Sequence, residues 1–441
     1  MNSTFTVNLR LHDWVMYLCH ITDLVSPKVA GHQTRTAYIA SGIACEMGFS
    51  KEMCEQVLLA AAIHDIGALS VQERLACLTF EMLNPQHHAE AGYLLLKGFA
   101  PFATIARLVR AHHVPWSTIV DKRHADPTMR IASNIINLAD RVEVSIVRDR
   151  PLKEQLFALC EKMSSVSGTR FAPEIVAAFV ALSRQDSFSA ELESESLAEI
   201  LSARCAGVPF LLNAEELLKL ATLLGRTIDF RSRFTAVHSN GVAAISAALA
   251  KLMGFSAEDV QLMKAAGLLH DVGKLSVPRE VLEKPAALTR EEFDVIRAHP
   301  ANARRLFDNL PQLYALSDWV SYHHERLDGR GYPYALQGDE IPLGARIMSV
   351  ADFFVALTED RPYRAGLSTE EALRIVKSMV TQGALDADVV RYLELHFEHM
   401  NLLRSRVQNA ARAAYVSFCT KLRHVDVVCA PAGDARVNYG A

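Results

Sequence analysis

The run LMKAAGLLHDVGK at 262–274 leads an apolar stretch straight into a His-Asp pair. Between Leu262 and Leu269 only Lys264 is charged, so the stretch reads as a helix buried on most sides, with His270-Asp271 at its inner end. VLLAAAIHDIGA at 57–68 repeats the arrangement around His64-Asp65. Upstream, Val242, Ile245, Leu249 and Leu252 recur at the spacing of a helix with one buried face, and Thr36, Ile39, Ile43 and Met47 match them in the first half. No alternating pattern persists long enough to suggest a sheet. The expected fold is all-α.

Around the His270-Asp271 pair the chain carries, in order, His238, Lys274, His299, His323-His324-Glu325 and Asp352. Five histidines and two aspartates suffice for two divalent metals that share one carboxylate, since each imidazole offers one nitrogen and an aspartate can bridge through both oxygens. A single histidine on a helix is usually a packing or capping residue. Seven donors in series, including a His-Asp and a His-His pair, are not explained that way.

The same set occurs twice. His32 and His64-Asp65 each precede His238 and His270-Asp271 by 206 positions, and Met47-Gly48-Phe49-Ser50 returns unchanged as Met253-Gly254-Phe255-Ser256. His88 lies 211 before His299, His112-His113 lies 211 before His323-His324, and Asp140 lies 212 before Asp352. His87 competes for the fourth position; His88 is preferred because Gly92 stands four residues on. A drift of only six residues implies duplication of one domain. The expected boundaries are a first domain at 1–185, a Ser- and acid-rich connection at 186–212, a second domain at 213–400, and a C-terminal helix (401–423) with a tail to 441.

HDVGK at 270–274, HHERLDGRGYP at 323–333 and ADFFVALTEDRPYR at 351–364 resemble the HD-GYP branch of the HD-domain metal phosphohydrolases, with the motifs in family order. The chain is thus expected to hold two tandem HD-superfamily domains, the first without the Gly-Tyr-Pro motif. Ala286 and Ala303 depart from the glycines usual in the family. The resemblance implies a hydrolase acting on bacterial cyclic dinucleotides. The doubled architecture resembles the 3′3′-cyclic GMP-AMP (3′3′-cGAMP) phosphodiesterases, whereas most HD-GYP domains are linked to cyclic di-GMP. A cyclic di-GMP phosphodiesterase and a non-catalytic cyclic-dinucleotide receptor therefore stay open beside it.

On this reading one metal takes His238, His270, Asp271 and Asp352, and the second takes Asp271, His299, His323 and His324. A water between two cations is acidified enough to attack phosphorus in line. Lys274, one turn beyond Asp271, would reach the phosphate or orient that water. Arg361 and Arg364 would clamp phosphate oxygens, Tyr332 would stack on a base, and Glu325 would accept a hydrogen bond from a ligand histidine. Some family members use a glutamate four residues before the first histidine for a third metal; Phe234 stands there, so two are expected. A nitrogen-rich donor set favours iron or manganese over calcium. In the first copy Ala68 replaces Lys274, and Val114-Pro115-Trp116 follows the His-His pair. Metal binding is expected there through His32, His64, Asp65, His88, His112, His113 and Asp140. Catalysis stays open, with removal of a 5′-phosphate as the attractive activity.

Composition agrees. The 441 residues are 50% hydrophobic, enough for two or three cores. A net charge of −4 leaves no basic footprint for a nucleic-acid polymer. No apolar run reaches membrane-spanning length, residues 1–10 do not read as a signal peptide, and the eight cysteines are scattered. A cytoplasmic protein with reduced thiols is expected; its oligomeric state and signalling partners stay open.

Overall fold

The computed structural model describes the chain except residues 1–5, 24–25, 27, 83, 119–125, 206–209, 231–236, 283, 285, 308–309, 360–364 and 430–441. It is helical almost throughout, as expected, and divides into two compact units. One gathers the described residues of 28–206 and 416–441, the other those of 1–27 and 207–415. No described helix is long and apolar enough to cross a membrane.

The repeated Met-Gly-Phe-Ser is a helix stop followed by a helix start. Helices His32–Glu46 and His238–Leu252 end where Gly48 (φ 74°) and Gly254 (φ 85°) turn left-handed, a conformation glycine adopts without a Cβ penalty. Phe49 N–H then bonds Ala44 O at 3.1 Å and Phe255 N–H bonds Ala250 O at 3.0 Å, closing the last carbonyls of each helix. Ser50 and Ser256 cap the next helices, Lys51–Ala62 and Ala257–Leu269, by accepting from Met53 N–H and Asp259 N–H. These helices deliver the two His-Asp pairs.

A second shared device sets the spacing of the donors. A Cβ on Gly273 would lie 1.9 Å from His299 O, and one on Gly67 would lie 2.0 Å from His88 O. In each unit the backbone after the His-Asp pair therefore rests directly on the backbone of the next ligand.

Three expected boundaries differ. Strand Thr6–Leu9 pairs antiparallel with Phe210–Asn213, and helix Leu11–Asp23 joins the same unit, with Trp14 edge-on to Phe307 and Tyr17 Oη donating to Asn302 O at 2.8 Å. The first residues thus belong with the second copy; four-residue strands are too short to show alternation. Within the expected connection at 186–212 lie helices Asp186–Leu192 and Leu197–Arg204. Their Phe188, Leu192, Leu197 and Leu201 are buried, which outweighs the polar composition around them. The last helix is Phe397–Cys429, longer than expected because no Gly or Pro interrupts it.

Candidate active site

Four histidines of the C-terminal set, His238, His270, His299 and His323, are aimed by their other ring nitrogen. His270, His299 and His323 donate Nδ1–H to the carbonyls of Gly267, Ile296 and Val320 at 2.8, 2.8 and 2.6 Å. A carbonyl only accepts, so Nδ1 carries the proton and Nε2 keeps a lone pair. His238 is held through Nδ1 by Glu359 Oε2 at 2.8 Å. The Nε2 atoms then converge on two carboxylates. Asp271 presents Oδ2 to His270 at 3.3 Å and Oδ1 to His299 at 3.3 Å, the posture of a bridging ligand. Asp352, on helix Leu343–Thr358, presents Oδ1 to His238 at 3.1 Å and Oδ2 to His324 Nδ1 at 3.7 Å. His299 and His323 approach through Nε2 to 3.4 Å.

Burial lowers His299 and His323 and brings His324 down to about 3, so these imidazoles are neutral at ordinary pH. Burial alone would raise both aspartates. His270 and Lys274 instead hold Asp271 well below the usual carboxylate range, and His238 does the same for Asp352. His270 Nε2 and Asp271 Oδ1 are buried with no hydrogen-bond partner among the described residues. Such facing acceptors are costly unless something positive lies between them. Donor atoms of His238, His270 and Asp352, of His270, Asp271 and His323, and of His299, His323 and His324 form groups within 4.8 Å. The chemistry of this set fits divalent metal ions.

Lys274 sits in the 3-10 turn Val272–Ser276, its Nζ donating to Asp271 Oδ2 at 2.7 Å with the side chain 18% exposed. Tyr332 lies with its ring centroid 4.8 Å from that of His324 and with Arg297 5.3 Å from its centroid. Arg361 and Arg364 lie outside the described residues, as does Phe234. Glu325 does not hold a ligand histidine. It accepts from Tyr334 N–H at 2.7 Å and Leu336 N–H at 3.0 Å, so it shapes the loop that carries Tyr332. The partner expected of it is supplied by Glu359, which sequence reasoning missed. Glu359 stands seven residues after Asp352, just past the end of helix Leu343–Thr358, where no local pattern marks it.

The N-terminal set is built alike. His64 and His112 donate Nδ1–H to Ala61 O at 2.7 Å and Val109 O at 2.5 Å, and Glu143 holds His32 through Nδ1. Asp65 faces His64 through Oδ2 at 3.4 Å and His88 through Oδ1 at 3.2 Å, while His32 lies 3.6 Å from Asp140 Oδ1. His88, not His87, joins the group with Asp65, His112 and His113; His32, His64 and Asp140 form the other. His32 Nε2, His64 Nε2, Asp65 Oδ1 and Asp140 Oδ1 are again buried without a hydrogen-bond partner among the described residues. The differences lie around the donors. No ammonium stands on Asp65, because Ala68 is there. Instead buried Arg141 binds Asp140 Oδ2 at 2.5 Å and is held in turn by the carbonyls of Cys77, Thr79 and Phe80. A cavity of about 250 Å³ is lined by Val114, Pro115 and Trp116, the residues that follow the His-His pair.

Both halves match HD-domain models, at residues 29–145 and 214–389. Over 399 residues the chain is 32% identical to a Vibrio cholerae protein named 3′3′-cGAMP-specific phosphodiesterase 1, covering 88% of this chain and 92% of that one. The chain belongs to the HD-domain phosphodiesterases. A Pseudomonas aeruginosa cyclic di-GMP phosphodiesterase is 37% identical over 199 residues, covering 45% of this chain and 46% of that one. The crystal structure of a cyclic GMP-AMP specific phosphodiesterase of V. cholerae shares the fold, with a TM-score of 0.58 at 20% identity over 93% of this chain and 98% of that one. Like its relatives, this HD-domain phosphodiesterase is a hydrolase, with two His/Asp clusters suited to metal.

Proposed function

We propose that the C-terminal site opens a cyclic dinucleotide, 3′3′-cGAMP, to the linear 5′-phosphorylated product pApG. The observation that carries this is Asp271, whose two oxygens face separate histidine groups while Lys274 stands on one of them at the partly exposed edge of the site. The similarity over nearly the whole length of the V. cholerae 3′3′-cGAMP phosphodiesterase supports the substrate. Two divalent cations, iron or manganese, would be held by His238, His270, Asp271 and Asp352 and by Asp271, His299, His323 and His324. When bound they supply an acidified water and neutralise charge growing on the phosphoryl oxygens.

The chain's own residues do the rest. Bonds from Nδ1 lock His238, His270, His299 and His323 with their lone pairs inward, so these four need no reorientation before binding. The Lys274 ammonium keeps Asp271 ionised and offers protons of its N–H bonds to a phosphate oxygen. Tyr332 gives a base a flat apolar neighbour beside His324. Arg361 and Arg364 clamp the phosphates. Hydrolysis that adds water at phosphorus and releases the guanosine 3′-oxygen as a hydroxyl leaves that phosphate on the adenosine 5′ side, which is pApG.

The N-terminal site, with a full donor set but no Lys274 equivalent, suits a smaller terminal monoester. We assign it trimming of pApG to ApG, in a protein that works in the cytoplasm. Incubation with 3′3′-cGAMP and with cyclic di-GMP tests the first assignment: the parent should consume 3′3′-cGAMP faster, and consumption of neither would leave a receptor. Asp65→Ala should stop at pApG. Dephosphorylation by that variant at the parent rate overturns the trimming role and leaves ring opening intact.

A further inference from the structure

The ligand His238 is tied to the C-terminal helix through two further side chains. Glu359 Oε2 accepts from His238 Nδ1 at 2.8 Å, and its other oxygen, Oε1, accepts from Gln408 Nε2 at 2.5 Å. Gln408 Oε1 in turn accepts from Arg404 Nη1 at 2.7 Å, and Arg404 Nη2 donates to Asn401 Oδ1 at 2.8 Å. Gln408 is 5% exposed on a helix that starts at Phe397, beyond the last residue matched by the family model at 389. A bare glycine admits it: a Cβ on Gly241, in the first turn after His238, would come within 2.9 Å of Gln408 Nε2.

The first copy shows what this arrangement changes. There Glu143 holds His32, but its other oxygen is bound by two guanidinium groups, Arg35 Nη2 at 2.7 Å and Arg148 Nη2 at 3.1 Å. Two cations draw the carboxylate's charge away from His32. In the second copy the amide of Gln408 takes that oxygen, fixing Glu359 from the side that His238 does not use. A carboxylate on the remote nitrogen orients an imidazole and raises its basicity as a ligand.

We propose that Gln408 is a positioning residue of the C-terminal metal site, setting the ligand strength of His238 through Glu359, so that helix Phe397–Cys429 is part of the active site rather than an appendage. This rests on the reading of His238 as a metal ligand. The helix brings its own fixed point, Arg404, to hold the amide in the orientation that donates.

The test is binding of Mn²⁺ to the full-length protein, measured by competition with a chromogenic chelator in a background where His64→Ala and Asp65→Ala silence the first copy. Gln408→Met keeps the side-chain length and removes the amide. It should weaken the tighter-bound Mn²⁺ about tenfold, the low end of what loss of an outer partner costs a metal site, with an unchanged helical circular dichroism signal. Arg404→Met, at a half-exposed position, should shift affinity in the same direction and keeps the test usable should Gln408→Met misfold. Leu402→Ala, on the exposed face of the same helix, should change nothing. Parent-like affinity in folded Gln408→Met or Arg404→Met, with His238→Ala losing metal, overturns the role of Gln408 and spares the ligand reading. Unchanged metal in His238→Ala overturns both.

Discussion

Replacing Lys274 with methionine keeps the length of the side chain and removes its ammonium. In the parent that group donates to Asp271 Oδ2 at 2.7 Å from a side chain only 18% exposed, so solvent screens it weakly. A hydrogen bond to a charged group contributes about 1.5–3 kcal/mol, and about 1.4 kcal/mol is tenfold in rate, so kcat for ring opening should fall about 10- to 150-fold. KM should move far less, because the same loss falls on the transition state rather than on substrate binding at large. Metal content should persist, since Lys274 is not a donor to the metals. The Lys274 charge that helps hold down Asp271 is also gone, so the acid edge of the activity profile should move to higher pH. Chromatography of the linear product at saturating Mn²⁺, with elemental analysis of the same samples, reads all of this. Turnover within about twofold of the parent at full metal content would refute the role given to the ammonium. Loss of metal together with activity would refute it too, by making Lys274 a builder of the site.

Asp271→Ala should abolish ring opening while leaving helical circular dichroism intact, because its two oxygens face His270 and His299 at 3.3 Å each. His64→Ala combined with Asp65→Ala should lower bound metal by elemental analysis and spare ring opening; unchanged metal would make the N-terminal histidines packing residues. Glu325→Leu removes the acceptor of two loop N–H groups and should raise KM more than it lowers kcat in steady-state assays. In metal-stripped protein His32 has burial against it, but Glu143, Asp140 and Asp65 raise it to about 9. A raised histidine stabilises fully below its unfolded value near 6.5 and loses that contribution as pH climbs through about 9. The thermal midpoint should therefore decline across that window, and His32→Gln should flatten the decline.

What the sequence revealed was what repeats locally. The His-Asp pairs end apolar helices whose stops and caps are written in four consecutive residues, twice, and the structure builds both the same way. The supporting groups escaped because they come from afar. Glu359 is 121 residues from His238, and Gln408 is 49 from Glu359. Glu143 and Glu359 do the same work three and seven residues after their aspartates, so matching the halves position by position hides them. Arg141 stands where the second copy has Phe353, and a buried cation beside a ligand has no local pattern. The exchange of residues 6–23 into the second unit was equally silent, since a four-residue strand is specified by its distant partner.

The contacts of Gly67 on His88 and of Gly273 on His299 make main chain the ruler of each cradle. Side chains can be exchanged around it without changing the distance it measures. A copy that lost its histidines one by one would keep the gap between the two halves of its donor set for as long as that glycine survived. Gene duplication here thus copied a gauge as well as a chemistry, and the gauge is the more durable of the two. One copy can drift toward a new ester, or fall silent and later be refitted, without first having to rediscover how far apart the two halves of its donor set must stand.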